Sequence, residues 1–323
     1  MMILRALPFL ALATPAWAEI PLVATDIAPV RSLVAQAMSG LGEPEQVLPP
    51  GGSPHDFALR PSQARALSRA DAVIWIGPEL TPGLAEAVSA LGEGASLPLL
   101  SVPGTILPQL AEGEAHGHHG DDHDDHAETH DDHGDDHEDH EDHAEAHGHD
   151  HGDFDPHAWL DPENGKLWLD AIAALLGALD PGNAATYAAN AAAGRLEIDA
   201  AAARAAALLE PVSDRAFLLR HDAYRAFVDH FDLASAGAIA ASDATEAGAA
   251  RLSELRAAAR SGEVVCVFNE AGESDAPVRT VIEGTPARSA TLDPLGTRLE
   301  PGPALYPRLI ETLARDIAAC LDG

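Results

Sequence analysis

Short apolar runs alternate with longer stretches of helical spacing along most of this chain, and that alternation leaves few folds open. In the first half the runs are LVAT (22–25), QVL (46–48), AVIWIG (72–77) and PLLSV (98–102). Between them lie Val30, Leu33, Val34, Ala37 and Met38 at helical spacing, then PSQARALSRA, then a helical pattern over 81–92. In the second half AFLLR (216–220), a run at 234–238, VVCVF (264–268) and ATL (290–292) alternate with helical patterns over DAYRAFVDHF, 245–260, 275–284 and 303–321. Runs this short need a helix between them to pair in parallel, so each half reads as a parallel sheet flanked by helices. Two longer helical patterns separate the halves, 162–179 and, after Asp180-Pro181-Gly182, an Ala-rich stretch over 183–209. The second is too long for an ordinary crossover and reads as a rigid helix joining two lobes. The expected fold is α/β, two lobes each with a parallel sheet, joined by that helix. The boundaries are a first lobe at 19–180, a connecting helix at 181–210 and a second lobe at 211–323, and no internal sequence repeat is evident.

The length of 323 residues has room for two lobes at roughly 150 residues each. One segment fits neither. Residues 111–152 hold 13 of the 17 histidines and 17 acids without a single Lys or Arg. Such a tract cannot bury apolar surface and is expected to stay disordered, as an insertion in the first lobe. It accounts for about half of the formal charge of −33, leaving −16 on an ordinary acidic remainder. A surface of that sign repels nucleic acid and anionic membrane and attracts cations. Imidazoles clustered beside carboxylates bind Zn²⁺, Ni²⁺ or Cu²⁺ loosely. His116, His118, His119, His123, His126, His130, His133, His137, His140, His143, His147, His149 and His151 are therefore candidates for secondary weak sites. The alternative is a solvated linker with no metal role.

The first 18 residues, MMILRALPFLALATPAWA, combine an early Arg5, a short apolar stretch and an Ala16-Trp17-Ala18 ending. That is the layout of a cleavable export signal, too short and Pro-broken to cross a bilayer. The mature chain from Glu19 is expected to be exported and soluble, without insertion in the membrane, as a monomer. Cys266 and Cys320 are the two cysteines. Bridged, they would pin the terminal helix to a core strand, and a loop of about 54 residues would contribute at most roughly 4 kcal/mol by chain entropy. Two buried thiols are the other reading.

Only His55, His157, His221 and His230 lie outside the tract. His55 stands in the Gly/Pro loop PPGGSPHDF, His157 in the DPHAWLDP turn, and His221 directly after AFLLR. Asp293 directly follows ATL. Open α/β sheets gather ligands beyond the carboxyl ends of their strands, where His55, His221 and Asp293 would be presented. Three imidazoles with a carboxylate or water suit a tetrahedral Zn²⁺ site. His230, two and a half helical turns beyond His221, reads as a surface residue.

GGSPHDFALRPSQARALSRADAVIWIGPEL, the DPHAWLDP turn, LLRHDAYRAF and TLDPLG resemble, in order and spacing, the periplasmic zinc-binding proteins of ABC importers, the ZnuA type. The match covers nearly all of the mature chain, and the His/acid tract falls where zinc-specific members carry a charged loop. The resemblance implies one metal in the cleft between two lobes, with His55, His157 and His221 as the histidine ligands. Manganese-binding relatives carry a carboxylate at the position of His221 and an Asp at that of Asp293, so histidine here points to zinc. Some zinc-binding members use an acid just before the first histidine. Pro54 stands there in this chain, which leaves Asp293 or water for the fourth place. The resemblance also implies a Cys266–Cys320 disulfide. VFNEAGES departs from the acidic-Pro-aromatic pattern of relatives but keeps Glu270, to which a minor supporting role falls.

The function this implies is capture of Zn²⁺ and delivery to the permease of an ABC importer, with the tract gathering or buffering metal. A zinc buffer or adhesin-like protein without transport is the alternative. A secreted zinc hydrolase is disfavoured: no HExxH occurs, since HEDHEDH misses the spacing, and no general base stands beside the histidines. The chain cannot itself be the ATPase, because its one lysine, Lys166, lies in NGKLW and not in a phosphate-binding loop.

Overall fold

The structure, a computed structural model, describes residues 19–55, 57–91, 94–109, 154–240 and 247–323. Residues 1–18, read as an export signal, and the tract 111–152 with its thirteen histidines lie outside the described residues.

Two four-stranded sheets, parallel throughout, carry the two halves. The first has the order β2-β1-β3-β4, from β1 (Val23–Thr25), β2 (Glu45–Gln46), β3 (Ala72–Trp75) and β4 (Ala95–Pro98). The second repeats it as β6-β5-β7-β8, from β5 (Phe217–His221), β6 (Ser235–Ala240), β7 (Cys266–Glu270) and β8 (Arg288–Leu292). Helices α1 (Ala28–Ala37), α2 (Pro61–Leu67) and α3 (Pro82–Leu91) serve the first sheet, and α6 (Arg225–His230), α7 (Ala249–Ser261), α8 (Ala276–Ile282) and α9 (Leu305–Asp322) the second. Two local differences from the sequence reading stand out. Only Pro98 of PLLSV is in a strand, and Leu99–Ser101 turn as a 3-10 helix. Only Gln46 of QVL is in a strand, in the two-residue β2 at a sheet edge.

Helix α4 (Pro162–Leu179) starts where Asp161 accepts a hydrogen bond from the Glu163 amide at 2.8 Å, with Pro162 at the first helical position. Helix α5 (Ala184–Leu209) is the long one, 26 residues. Its buried residues, Tyr187, Ala191, Gly194, Ile198, Ala201, Ala205 and Leu209, recur every three or four positions, so one narrow stripe faces the core while the rest meets solvent. Small residues on that stripe let neighbours approach closely. A side chain at Gly194 would collide with Gln36 and Leu169.

One hydrophobic cluster runs through both halves, from Val23, Leu33 and Ile74 to Phe217, Tyr306 and Leu321. Polar contacts reinforce it. Pro303 O accepts from Ser32 Oγ (3.1 Å) and Gln36 Nε2 (2.8 Å) on α1, while Tyr306 donates its amide to Ser32 Oγ and its hydroxyl to Trp159 O. The Tyr306 ring lies so close to Gly165 that no side chain fits there. Cys266 on β7 is bonded to Cys320 on α9, closing the terminal helix onto the second sheet.

Candidate metal centre

The three histidines meet where the halves face each other. His157 precedes a short 3-10 turn, Ala158–Leu160, and is 7% exposed; it touches both of the others. Its Nε2 lies 3.3 Å from Nε2 of His55, and its ring centroid 5.6 Å from that of His221. His55 is half-buried in its loop, where its amide receives support from Ser53 Oγ. His221 is buried and is the last residue of β5 itself, one position further into the sheet than its pattern indicates. No group of three or more His, Cys, Asp and Glu among the described residues is already placed to hold a metal ion. The His55–His157 pair nevertheless has the separation of two ligands: nitrogens about 2.0–2.1 Å from a tetrahedral zinc stand about 3.3 Å apart.

Carboxylates lie behind two of the rings. Asp155 Oδ1 takes the His157 amide at 2.9 Å and faces its Nδ1 at 2.5 Å. Glu270, the last residue of β7, places Oε2 at 3.2 Å from His221 Nδ1 and accepts the Tyr224 hydroxyl at 3.3 Å. Nδ1 of His157 is thereby hydrogen-bonded and that of His221 faces a carboxylate at ion-pair distance, so on each ring Nε2 is the nitrogen turned away from its carboxylate. Asp293 is buried, and its oxygens are occupied locally. Oδ1 accepts from Thr297 N, and Oδ2 from Thr297 Oγ1, Arg298 N and, at 3.4 Å, Arg298 Nε. Trp159, whose ring packs against His157 at 5.1 Å, donates to Pro294 O at 2.9 Å and so ties the turn to the Asp293 loop across the halves.

Asp155 and Asn164 escape a reading of the sequence. An Asp two residues before a ligand, able to reach the i+2 amide, was the available sign for the first. Asn164 gave none: its side chain clamps both backbone groups of Ile106, 58 residues away. That clamp supports the stem where Gln109 pairs with Phe154, three residues before His157, so segment 110–153 departs and returns at one point beside the site. His230, read as a surface residue, is half-buried instead, with Nδ1 at 2.9 Å from Asp161 Oδ1 at the start of α4. The ten-residue helical pattern around it shortens to α6 because Asp222–Tyr224 bend away from the end of β5.

Two parallel α/β lobes spanned by a long helix, with side chains from both converging between them, define a bilobed solute-binding protein. The family model described as "Zinc-uptake complex component A periplasmic", ZnuA, matches residues 23–320, and the chain belongs to that family. A high-affinity zinc uptake system protein ZnuA of Paracoccus denitrificans is 46% identical over 311 residues, covering 96% of this chain and 94% of the relative. The protein of the same name from Brucella abortus is 40% identical over 304 residues, covering 93% and 91%. Among solved structures, a crystal structure of ZnuA superposes with a TM-score of 0.71 at 22% identity, covering 93% of this chain and 98% of the other. A zinc-bound ZnuA deletion mutant gives 0.71 at 21%, with the same coverage. These two likenesses speak for the fold. The family is one of solute-binding components of uptake systems, not of enzymes, and no helix among the described residues is long and apolar enough to cross a membrane.

Proposed function

We propose that this chain captures Zn²⁺ in the periplasm with His55, His157 and His221 and delivers it to the permease of an ABC importer. The observation that carries the reading is the 3.3 Å separation of the His55 and His157 Nε2 atoms, at the meeting of the two halves, with His221 against the same ring. Neutral imidazoles suit a borderline cation, and the absence of thiols from the site disfavours softer ones. Zinc draws the third ring in and completes the set. Water takes the fourth position in this reading, because Asp293, the other candidate, would have to give up hydrogen bonds from Thr297 and Arg298 to turn toward the metal.

The division into lobes at 19–180 and 211–323 with a connecting helix at 181–210 belongs to the same reading, as does export by residues 1–18. Because one core and the Tyr306 and Trp159 contacts join the lobes, release proceeds by a small tilt or local distortion of the ligands rather than wide opening. The tract, rooted beside His157, gathers metal near the cleft. Replacing each histidine by alanine and titrating zinc against a competing chelator tests the assignment; unchanged tight binding in all three variants would overturn it.

A further inference from the structure

We infer that Asp155 is a positioning residue for the metal, holding His157 in the tautomer that presents Nε2 and leaving a buried negative charge that a cation at His157 compensates. The inference rests on the ligand assignment just proposed and goes beyond it. Asp155 is 1% exposed. Both of its observed side-chain hydrogen bonds go to one residue and one oxygen: Oδ1 takes the His157 amide at 2.9 Å and faces Nδ1 at 2.5 Å. An ionised carboxylate only accepts, so the proton of that contact sits on Nδ1 and the lone pair on Nε2, the atom beside Nε2 of His55.

The other oxygen, Oδ2, is buried without a hydrogen-bond partner among the described residues. An unmet buried acceptor is costly; Asp293 has partners at both oxygens, from Thr297 and Arg298, whereas Asp155, like Asp180, has one oxygen left over, and only that of Asp155 belongs to a carboxylate seated against a site histidine. No Arg or Lys is ion-paired with Asp155 among the described residues, and its one such contact is to His157. Its placement makes sense once a divalent cation sits on the far side of the imidazole, where carboxylate, ring and metal form one line of alternating charge. The backbone holds this arrangement from behind, through Asp155 N donating to Pro108 O at 2.9 Å.

Asp155→Asn separates this role from a structural one. Asparagine keeps an acceptor for Nδ1–H and removes only the charge. The expected result on the full mature chain is a 10- to 100-fold weaker tightest zinc site by chelator competition, with metal-free thermal stability unchanged or raised. Loss of metal-free stability without loss of affinity would overturn the inference. A second measurement does not depend on that variant folding. Long-range ¹⁵N–¹H spectra of the metal-free wild type, with the His157 signal identified by its disappearance in His157→Gln, should show the proton on Nδ1; a proton on Nε2 would overturn it. Should His157→Gln leave zinc binding intact, the ligand assignment itself fails. Should His157→Gln abolish binding while Asp155→Asn does not weaken it, only the role of Asp155 fails.

Discussion

In the first sheet the strand second in order, β1, runs out at Thr25 into Asp26; in the second sheet the strand in the same place, β5, ends on His221. Asp26 is completely buried and ties its own edge together, accepting from Ile27 N at 2.7 Å and from Ile76 N, just past β3, at 2.8 Å. The second sheet instead carries candidate site side chains along its edge, His221 on β5 and Glu270 on β7, with Asp293, bonded within its own loop, just past β8. The first half supplies its histidines from connections, His55 nine residues beyond β2 and His157 beyond the stem of the tract. Two sheets of the same strand order thus put their carboxyl edges to different uses. Topology fixes where a ligand can stand, and the residue at the strand end decides whether that place binds or braces.

The largest effect expected from breaking this arrangement is at His157, which touches both other rings. His157→Ala should weaken the tight site by well over the roughly 100-fold that bounds a supporting partner, with His221→Ala close behind. His55→Ala should cost least of the three, because water can take the place of a half-buried ligand on a loop. Chelator competition on a chain shortened by residues 116–151 measures all three, and an order with His55 first would contradict the difference between edge and loop. The next effect is pH. Each ligand must be neutral, so zinc affinity should fall as the pH drops and protons compete for the imidazole nitrogens. Equal affinities at pH 7.5 and 5.5 would count against histidine ligation. Smaller still is the effect of removing 116–151: the tight site should keep its affinity within about threefold while several weaker sites disappear from an isothermal titration. Loss of the tight site with the tract would show that the ligands lie in the wrong place.

The architecture could be read in advance because each parallel strand is an apolar run and each crossover a helical period, both local patterns. AVIWIG and AFLLR became buried strands, and the Ala-rich stretch became α5, for that reason. Failures came where a distant contact overrode the local pattern. PLLSV is apolar enough for a strand, yet Leu100 N reaches Ile76 O and Thr105 Oγ1 reaches Leu99 O, bending the segment into a turn. His230 looked solvent-bound until α6 packed against Asp161, 69 positions earlier. The candidate histidines stood out because so few lie outside the tract, whereas Asp155 was one acid among many. What singles it out is burial against the His157 ring with one oxygen left over, neither of which is written in composition or spacing.

The smallest effect tests the bracing edge itself. Burial pushes the Asp26 carboxyl up from 3.8 to about 6, against the opposing pull of the Ile76 and Ile27 amides. The folded value lies above that of the unfolded chain, so the folded state binds the proton more tightly and protonation stabilises it. The contribution is full below about 3.8 and gone above about 6. Asp26→Asn cannot titrate. Urea midpoints for wild type and variant, followed from pH 7 to pH 4 without metal, should therefore diverge, the wild type gaining about 2 kcal/mol relative to the variant. Other titrating groups, the histidines included, act equally in both proteins and cancel in the difference. Parallel curves would mean that Asp26 is solvated in the folded protein. In that case the first sheet has no buried carboxylate brace, and its edge differs from the second only in where its ligands are mounted.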